Sequence, residues 1–322
     1  MRRLGLVAAL LMAGLCGAVA QSYPSKPITL VVPFAAGGPV DTLARILAER
    51  LRGALGQPVI IENVTGAAGS IGTGKVARAA PDGYTLINGI WSTHVANGAI
   101  HSLHYDVFGD FEPIALLSDN SQLIVGKKSM PANDLKGLIA WLKANPDKAS
   151  AGTAGVGSPQ HIFGLQFQNA TSTRFQFVHY RGGAPATQDL VAGQIDFVVG
   201  DLVTTLPQIK GGTIKAYAYT GKSRLAAAPD VPTAEEAGLP GFTTSVWNAL
   251  WFPKGTPKDV VAKFNAAVVA ALDDAAVRER LAGLGQQVVA REQQTPEVLR
   301  ALHKADIEKW WPIIKAAGIK AE

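Results

Sequence analysis

Short apolar runs and stretches with helical spacing alternate along nearly the whole chain, and this alternation limits its possible folds more than any other feature. Ile28–Val32 is an apolar run, as expected of a strand buried on both faces. In the next segment, Asp41–Leu55, leucine and isoleucine recur three and four residues apart and so share one face of a helix. Strands separated by helices predict parallel sheets with helices on both faces, which is an α/β fold.

The same pattern continues to the end of the chain. Further strands are predicted at Val59–Glu62, Thr85–Ile90, Leu123–Val125, Ala149–Gly152, Phe175–Tyr180, Phe197–Val199, Ile214–Tyr219 and Ala249–Phe252. Further helices are predicted at Ile71–Ala79, Val95–Ile100, Leu135–Asn145, Pro159–Gln168, Pro185–Ala192, Thr204–Lys210, Asp259–Leu272, Ala276–Leu284 and Pro296–Ala316. The last third of the chain is therefore mainly helical.

Two connections are predicted to cross between domains, one at Phe111–Leu123 and the other at Gly241–Phe252. The chain would leave a first domain, build a second and return. We therefore expect lobe 1 to comprise residues 21–120 and 247–322, and lobe 2 to comprise residues 121–246. A cleft between two lobes is the default ligand site.

The N-terminus has the composition of a secretory signal peptide. Two arginines precede the apolar run Leu4–Leu15, and Ala18-Val19-Ala20 supplies small residues for cleavage. Residues 1–20 are therefore predicted to be removed on export, which places the mature chain in the periplasm.

Charge and motif content exclude several classes of function. The formal net charge is +5, and no Lys/Arg run supports nucleic-acid binding. The single cysteine, Cys16, lies inside the predicted signal, so the mature chain has neither a thiol nucleophile nor a cysteine metal site. His101 and His104 are three residues apart near a predicted turn, where surface polarity is the simpler interpretation. We expect no metal, no cofactor and no enzymatic activity.

The segment GSIGTGKV, residues 69–76, is one residue short of the phosphate-binding pattern G-x-x-x-x-G-K-[ST]. Val76 stands where a hydroxyl would bind Mg²⁺, and an exported protein normally meets no ATP. Lys75 is therefore interpreted as a solvated helix residue.

Three predicted strands end in glycine-rich turns that open helices, at Pro33–Asp41, Gly152–Pro159 and Tyr180–Pro185. Each turn would present unpaired backbone N–H groups at a positive helix end, and glycine lets an anion approach closely. The alternative is structural, because Asp41 and Ser158 could simply be N-caps. Three such turns in one two-lobed protein favour anion binding.

Five segments resemble the substrate-binding proteins of tripartite tricarboxylate transporters, the Bug-type solute receptors. They are VVPFAAGGPVDTLAR, ENVTGAAGSIGTGKVARAAPDGYTLINGI, GTAGVGSPQHIFG, FVHYRGGAPATQDLVAGQIDF and WFPKGTPKDVV. The resemblance implies a two-lobed type II periplasmic-binding-protein fold that closes on a small carboxylate, and a two-component membrane permease as partner. We also expect a monomer. Pro39-Val40 departs from the family, which commonly has a small or hydroxylated residue before Asp41, so the ligand cannot be copied from a relative.

The predicted ligand site combines the glycine turns with nearby side chains. Backbone groups of Ala35–Gly38 and Ala154–Ser158 would bind carboxylate oxygens. The predicted ligand-binding residues are Phe34, Ala35, Ala36, Gly37, Gly38, Asp41, Ser92, His94, Thr153, Ala154, Gly155, Gly157, Ser158, His161, Arg181, Gly182, Asp201 and Trp247. For several of these side chains, core or turn packing is an equal alternative. Phe34 and Trp247 would accept an aromatic acid, although an apolar wall does not distinguish aromatic from aliphatic ligands.

The leading prediction is a receptor that delivers a mono- or dicarboxylate, aromatic ones included, to its permease. Two alternatives remain at this point. One is a sensor that presents its ligand to a membrane signalling protein. The other is an exported enzyme that uses the same cleft, which the absence of a nucleophile–base pattern disfavours.

Overall fold

The computed structural model describes residues 23–316 and 318. The predicted signal peptide and its cleavage point lie outside these residues. Ten strands form two five-stranded sheets, one in each lobe of a two-lobed α/β fold. The strands are β1 Ile28–Val32, β2 Val59–Asn63, β3 Thr85–Ile90, β4 Phe111–Asn120, β5 Leu123–Lys127, β6 Ser150–Thr153, β7 Gln176–His179, β8 Phe197–Gly200, β9 Ile214–Tyr219 and β10 Val246–Pro253.

Helices cover both sheets. They are α1 Pro39–Leu55, α2 Ser70–Ala77, α3 Asn97–Ile100, α4 Leu135–Ala144, α5 Pro159–Thr171, α6 Gly183–Val191, α7 Leu202–Lys210, α8 Lys258–Asp273, α9 Ala275–Gly283 and α10 Pro296–Ala316. Short 3₁₀ segments occur at Ala67–Gly69 and Arg291–Gln293, and a π-helical segment occurs at Ser92–Ala96. Within residues 23–316 and 318, no helix has both the length and the apolar composition that a membrane span requires.

The expectation of parallel sheets is wrong for one strand in each sheet, and the other described pairs are parallel. The first sheet has the order β2-β1-β3-β10-β4, and β10 runs antiparallel to both of its neighbours. The second has the order β7-β6-β8-β5-β9, and β5 is antiparallel to both of its neighbours. Both exceptions follow a crossing between the lobes. The chain enters each sheet from the side of the other lobe, with no helix to bring it back in the parallel direction.

The connections between the lobes are hydrogen-bonded to one another. The Thr220 N–H donates to the Gln122 carbonyl at 2.9 Å, and the Gln122 N–H donates to Thr220 Oγ1 at 2.7 Å. The Thr220 and Thr244 hydroxyls lie 2.7 Å apart. We propose that the lobes meet at the predicted boundaries, 120/121 and 246/247. The chain passes from the first sheet to the second between β4 and β5, and returns to the first sheet between β9 and β10.

Each lobe has an aromatic centre, and the Trp91 ring of lobe 1 stacks on the Phe163 ring of lobe 2 at 6.2 Å. In lobe 1, the Phe252 and Phe264 rings meet edge to face at 5.3 Å. In lobe 2, Phe175 and Phe197 do the same at 4.6 Å. The cores fix the strand ends, and so the positions of the loops that face the cleft.

Candidate functional site

Four helix N-termini point into one cavity between the lobes. Lobe 1 contributes the start of α1, and lobe 2 contributes the starts of α5, α6 and α7. The contacting residues at these ends are Gly38, Pro39, Val40, Pro159, Gln160, Gly183, Asp201 and Leu202. The first N–H groups of a helix lack partners within the helix, and the dipole makes that end positive. The four ends together form a site for a small anion.

The remaining walls of this cavity are partly apolar and partly amide. They comprise Phe34, Ile90, Asn120, Gln122, Ala154, Val246, Asn248 and Gln286. The volume open to the centres of water molecules inside the cavity is about 50 Å³. Among the described residues that line it, none is lysine, arginine or histidine. An anion here would be held by backbone and amide groups rather than by an ion pair.

A second opening, the side groove, adjoins this cavity and shares Phe34 and Ala154 with it. Its other lining residues are Pro33, Gly66, Ala67, Ala68, Gly69, His101, Gly155, Val156, His161, His179, Tyr180 and Arg181. Gly66–Gly69 has positive φ at four consecutive residues, including 46° at Ala67 and 49° at Ala68. Such strain in non-glycine residues is characteristic of functional loops.

Two glycines of lobe 2 lie against loops of lobe 1. A Cβ added at Gly155 would lie 3.4 Å from the Ala68 nitrogen. A Cβ added at Gly182 would lie 3.2 Å from the Ala35 Cβ and 3.3 Å from its nitrogen. The lobes therefore touch across the cleft at both positions: an added Cβ would be in ordinary contact at Gly155 and crowded by a few tenths of an ångström at Gly182.

Asp41 holds the loop between β1 and α1. Its carboxylate accepts hydrogen bonds from the Gly37 N–H at 2.9 Å, Arg45 Nε at 2.8 Å and Asn63 Nδ2 at 2.9 Å. Burial alone would raise the pKa of Asp41, but the hydrogen bonds from Arg45, Gly37 and Asn63 outweigh it and lower the pKa. Gly38, rather than Asp41, is the N-cap of α1. Asp41 therefore positions the loop and does not itself line the cavity.

Side chains of lobe 2 fix the loop after β6 in a similar way. Ser158 is the N-cap of α5, and its hydroxyl accepts from the His161 N–H at 3.4 Å. His161 Nδ1 accepts from the Gly157 N–H at 3.1 Å, so the ring is neutral. Burial, together with the neighbouring His179, lowers the pKa of His161 to about 4. Thr153 Oγ1 lies 2.7 Å from His179 Nδ1.

The predicted residues divide into four groups by position, of which three lie in or beside the cleft. Phe34, Gly38, Ala154 and Asp201 line the cavity. Gly155, His161 and Arg181 line the side groove, and Gly182 touches Ala35 across the cleft. Ala35, Ala36, Gly37, Asp41, Thr153, Gly157 and Ser158 belong to the two loops but do not line the cavity itself.

Ser92, His94 and Trp247 lie elsewhere. Ser92 and His94 are completely buried in lobe 1, where the His94 ring stacks on Trp251 at 3.8 Å. Trp247 Nε1 donates to an Asp306 carboxylate oxygen at 2.7 Å. The Trp247 side chain lines a groove on the other face of β10. Side chains of a strand alternate between faces, so Val246 and Asn248 point into the cavity and Trp247 points away.

Sequence reasoning missed the amide side chains of the cavity: Asn120, Gln122, Gln160, Asn248 and Gln286. Gln160 could have been predicted to line the cavity, because it lies in the first turn of the helix that follows a predicted binding loop. Asn248 carried another, since it alternates with Trp247 along β10. Gln286 comes from the C-terminal region, and no local pattern connects it with the cleft.

The near-match to a phosphate-binding motif has an ordinary structural position. Lys75 lies on α2, and its Nζ contacts a Glu62 carboxylate oxygen. Both side chains are partly exposed, at 45% and 41%. The lysine therefore points away from the cavity.

We predict that Lys75→Ala leaves the affinity for the cavity ligand unchanged within about twofold, because a solvated ion pair contributes little. Isothermal titration of both proteins checks this. Titration of the wild type with Mg-ATP should give no heat of binding. Micromolar Mg-ATP binding that Lys75→Ala abolishes would contradict the prediction.

Comparison with known proteins identifies the family to which the chain belongs. The family model described as "Tripartite tricarboxylate transporter family receptor" matches residues 43–319. The chain belongs to this family of receptors. A relative from Agrobacterium vitis, "UPF0065 protein in the TAR-I ttuE-ttuC' intergenic region", is 41% identical over 97% of the chain and 91% of its own length.

Solved structures of similar proteins share the fold of this receptor. The periplasmic binding protein BugD has a TM-score of 0.89 and 39% identity, over 93% of this chain and all of that one. MatC from Rhodopseudomonas palustris, with bound malate, has a TM-score of 0.87 and 41% identity, over 91% of this chain and all of that one. Another R. palustris protein, solved with adipate, has a TM-score of 0.88 and 31% identity, over 93% of this chain and all of that one. The sequence prediction of a Bug-type receptor with a two-lobed fold is confirmed.

Proposed function

We propose that this receptor binds a small organic carboxylate between its lobes in the periplasm and delivers it, as a monomer, to a two-component membrane permease. The observation that carries the proposal is the convergence of four helix N-termini, from both lobes, on one cavity without a basic side chain. The malate and adipate bound by two neighbours of the same fold support the same ligand class.

The proposed mechanism is closure of the lobes on the ligand. A carboxylate that accepts hydrogen bonds from α1 on one side and from α5, α6 and α7 on the other stabilises the closed state by contacts that the open state lacks. The Gly37 N–H already donates to Asp41, so the loop donors predicted in Ala35–Gly38 are only partly free. We therefore assign the ligand contacts of lobe 1 chiefly to the first turn of α1.

The remaining predicted residues enter this proposal in secondary roles. Gly155 and Gly182 allow the lobes to meet, while Asp41, Ser158 and His161 hold the loops in shape. Exposed Arg181, in the side groove, would attract an anion toward the cleft before closure.

We predict that the mature protein binds at least one member of a panel of aliphatic and aromatic mono- and dicarboxylates at one site. Thermal-shift screening followed by isothermal titration checks this, with the matching neutral amides as control ligands. Each amide has the shape of its acid without the charge, so it should bind at least tenfold more weakly. Binding of the amides but of no carboxylate would contradict the proposal.

Delivery requires a separate experiment. Purified receptor is added to vesicles that contain its permease, and uptake of the identified carboxylate is measured. We expect uptake only when the receptor is present. Ligand binding without receptor-dependent uptake by any permease would instead favour the sensor role.

A further inference from the structure

Resting on the proposed function, we propose that the bound carboxylate carries a hydroxyl or ammonium group, and that Asn248 of lobe 1 and Asp201 of lobe 2 accept hydrogen bonds from it. The solute would then be a 2-hydroxy or 2-amino carboxylate rather than an unsubstituted acid.

The amide of Asn120 is oriented by the backbone. The Gln287 N–H donates to Asn120 Oδ1 at 2.8 Å, so the other end of that amide must be the nitrogen. Asn120 Nδ2 donates to Gln286 Oε1 at 2.7 Å and to Ser118 Oγ at 3.0 Å. A main-chain donor thereby fixes the direction of the first bonds in a buried network.

The network in turn orients Asn248. The single Ser118 hydroxyl proton donates to Gln286 Oε1 at 3.0 Å, so Ser118 Oγ can only accept from any further neighbour. Asn248 is that neighbour, and its Nδ2 donates to Ser118 Oγ at 3.2 Å. Asn248 Oδ1 is therefore the end that has no partner, in a residue that is 3% exposed and lines the cavity.

A buried acceptor without a donor is costly, and the cavity has two such side-chain oxygens. The second, Gln160 Oε1, lies across the cleft in lobe 2 in a residue that is 7% exposed. No hydrogen bond among the described residues fixes the direction of the Gln160 amide, so Asn248 is the acceptor that the network determines. A ligand that brings donors satisfies these oxygens, whereas a ligand that brings only carboxylate oxygens leaves them unpaired. The wall therefore discriminates between the two kinds of ligand.

Asp201 adds an acceptor at the helix ends themselves. It is the N-cap of α7, where its two oxygens accept from the Thr204 N–H at 2.8 Å and the Thr204 hydroxyl at 2.9 Å. No salt bridge within the described residues includes Asp201. Each carboxylate oxygen can still accept a second hydrogen bond.

The position of Asp201 places this acceptor beside the anion. A Cβ added at Gly183, in the first turn of α6, would lie 2.8 Å from Asp201 Oδ2 and 3.4 Å from Gln160 Nε2. The Asp201 oxygens therefore lie at the same helix ends as a bound ligand, where they can accept a hydrogen bond from a donor group that the ligand carries. Asp201 and Asn248 line the same cavity from opposite lobes, so a hydroxyl or ammonium on the ligand can meet an acceptor on either side.

The first experiment compares ligands that differ only at the 2-position. The sets are succinate, malate and aspartate; glutarate, 2-hydroxyglutarate and glutamate; propionate, lactate and alanine; and phenylacetate, mandelate and phenylglycine. Isothermal titration of the mature protein should show that, in the set that binds best, a hydroxy or amino acid binds at least tenfold more tightly than the unsubstituted acid. Equal or tighter binding of the unsubstituted acid overturns the inference and leaves the proposed function intact. If no member of any set binds, and the wider carboxylate panel also gives no binding, the proposed function fails as well.

The second experiment changes the two acceptors. Asp201→Asn keeps a good N-cap but replaces one acceptor oxygen with a donor. Asn248→Leu removes the unpaired oxygen at similar volume. The matched control is Asp134→Asn at the exposed N-cap of α4, where Asp134 accepts from the Gly137 N–H at 2.7 Å.

We expect Asp201→Asn and Asn248→Leu each to reduce the preference for the substituted ligand to below about threefold, with binding of the unsubstituted acid unchanged or tighter. A purely structural defect would weaken both ligands alike. Asp134→Asn should retain the wild-type preference. If Asn248→Leu does not fold, the Asp201→Asn variant alone tests the proposal. A folded Asp201→Asn protein that keeps the wild-type preference for the 2-substituted ligand overturns the role of Asp201.

Discussion

Gly182→Val is expected to weaken carboxylate binding by about 100-fold, which corresponds to about 2.7 kcal/mol. A Cβ at this position would already lie 3.2 Å from the Ala35 Cβ, and valine adds two further methyl groups. The lobes could then no longer close to their present separation, so the ligand would lose the contacts of one lobe. Isothermal titration with the carboxylate that binds the wild type best measures the loss, and small-angle X-ray scattering reports whether ligand still compacts the protein.

Backbone strain is the competing explanation, because Gly182 has a φ of 145°, which valine adopts poorly. Gly193→Val controls for it. Gly193 also has a positive φ, 78°, and lies in the same lobe, but a Cβ there meets no atom within 4 Å. The Gly193→Val variant should have a lower melting temperature than the wild type, and its dissociation constant for the ligand should stay within about twofold of the wild-type value. A folded Gly182→Val protein with wild-type affinity would show that ligand binding does not need this contact between the lobes.

Gly37 and Gly182 illustrate what the sequence could and could not predict about the site. Glycine-rich turns after strands are recognisable, and the loops that they form do face the cleft. The sequence does not tell why each glycine is there. Gly37 has open space around it, and its N–H is bonded to Asp41, whereas Gly182 lies against the other lobe. The difference arises from contacts between residues far apart in the chain.

Most strands and helices were predictable because their patterns are local. The predicted limits of β1, β3, β9 and α10 agree with the structure residue for residue. Strand direction was not predictable in the same way. The antiparallel placement of β10 follows from the return of the chain out of lobe 2, which no stretch of residues within β10 encodes.

The cavity wall was the hardest part to predict, and β10 shows why. Its tryptophans are conspicuous in the sequence, which therefore predicts Trp247 as a ligand residue. In the structure the even-numbered neighbours, Val246 and Asn248, face the cavity, while Trp247 bonds to Asp306 on the other face. Both faces of this strand are buried, so its apolar pattern gives no indication of which face meets the ligand.

Asp41→Asn should lower the free energy of unfolding by about 1–3 kcal/mol at pH 7, because a buried, charged acceptor of several hydrogen bonds is lost. It should also weaken ligand binding several-fold, since the loop that begins α1 loses its tie to Gly37. Urea unfolding and isothermal titration measure the two effects. Glu49→Gln is the control, because Glu49 lies on the same helix and pairs with Arg280 at 3.0 Å while 71% exposed. It should leave both quantities unchanged within error.

The pH dependence tests whether the charge of Asp41 is responsible. The pKa of this carboxyl is lowered in the folded protein, because the hydrogen bonds from Arg45, Gly37 and Asn63 outweigh the burial that would raise it. Its contribution to stability is therefore complete above the unfolded pKa of about 3.9, and is lost as the pH falls through the lower folded value. The stability difference between wild type and Asp41→Asn should stay constant from pH 7 to about pH 5 and shrink below about pH 4. A difference that persists undiminished at the lowest pH where both proteins fold would mean that shape, and not charge, is what Asp41 supplies to the loop.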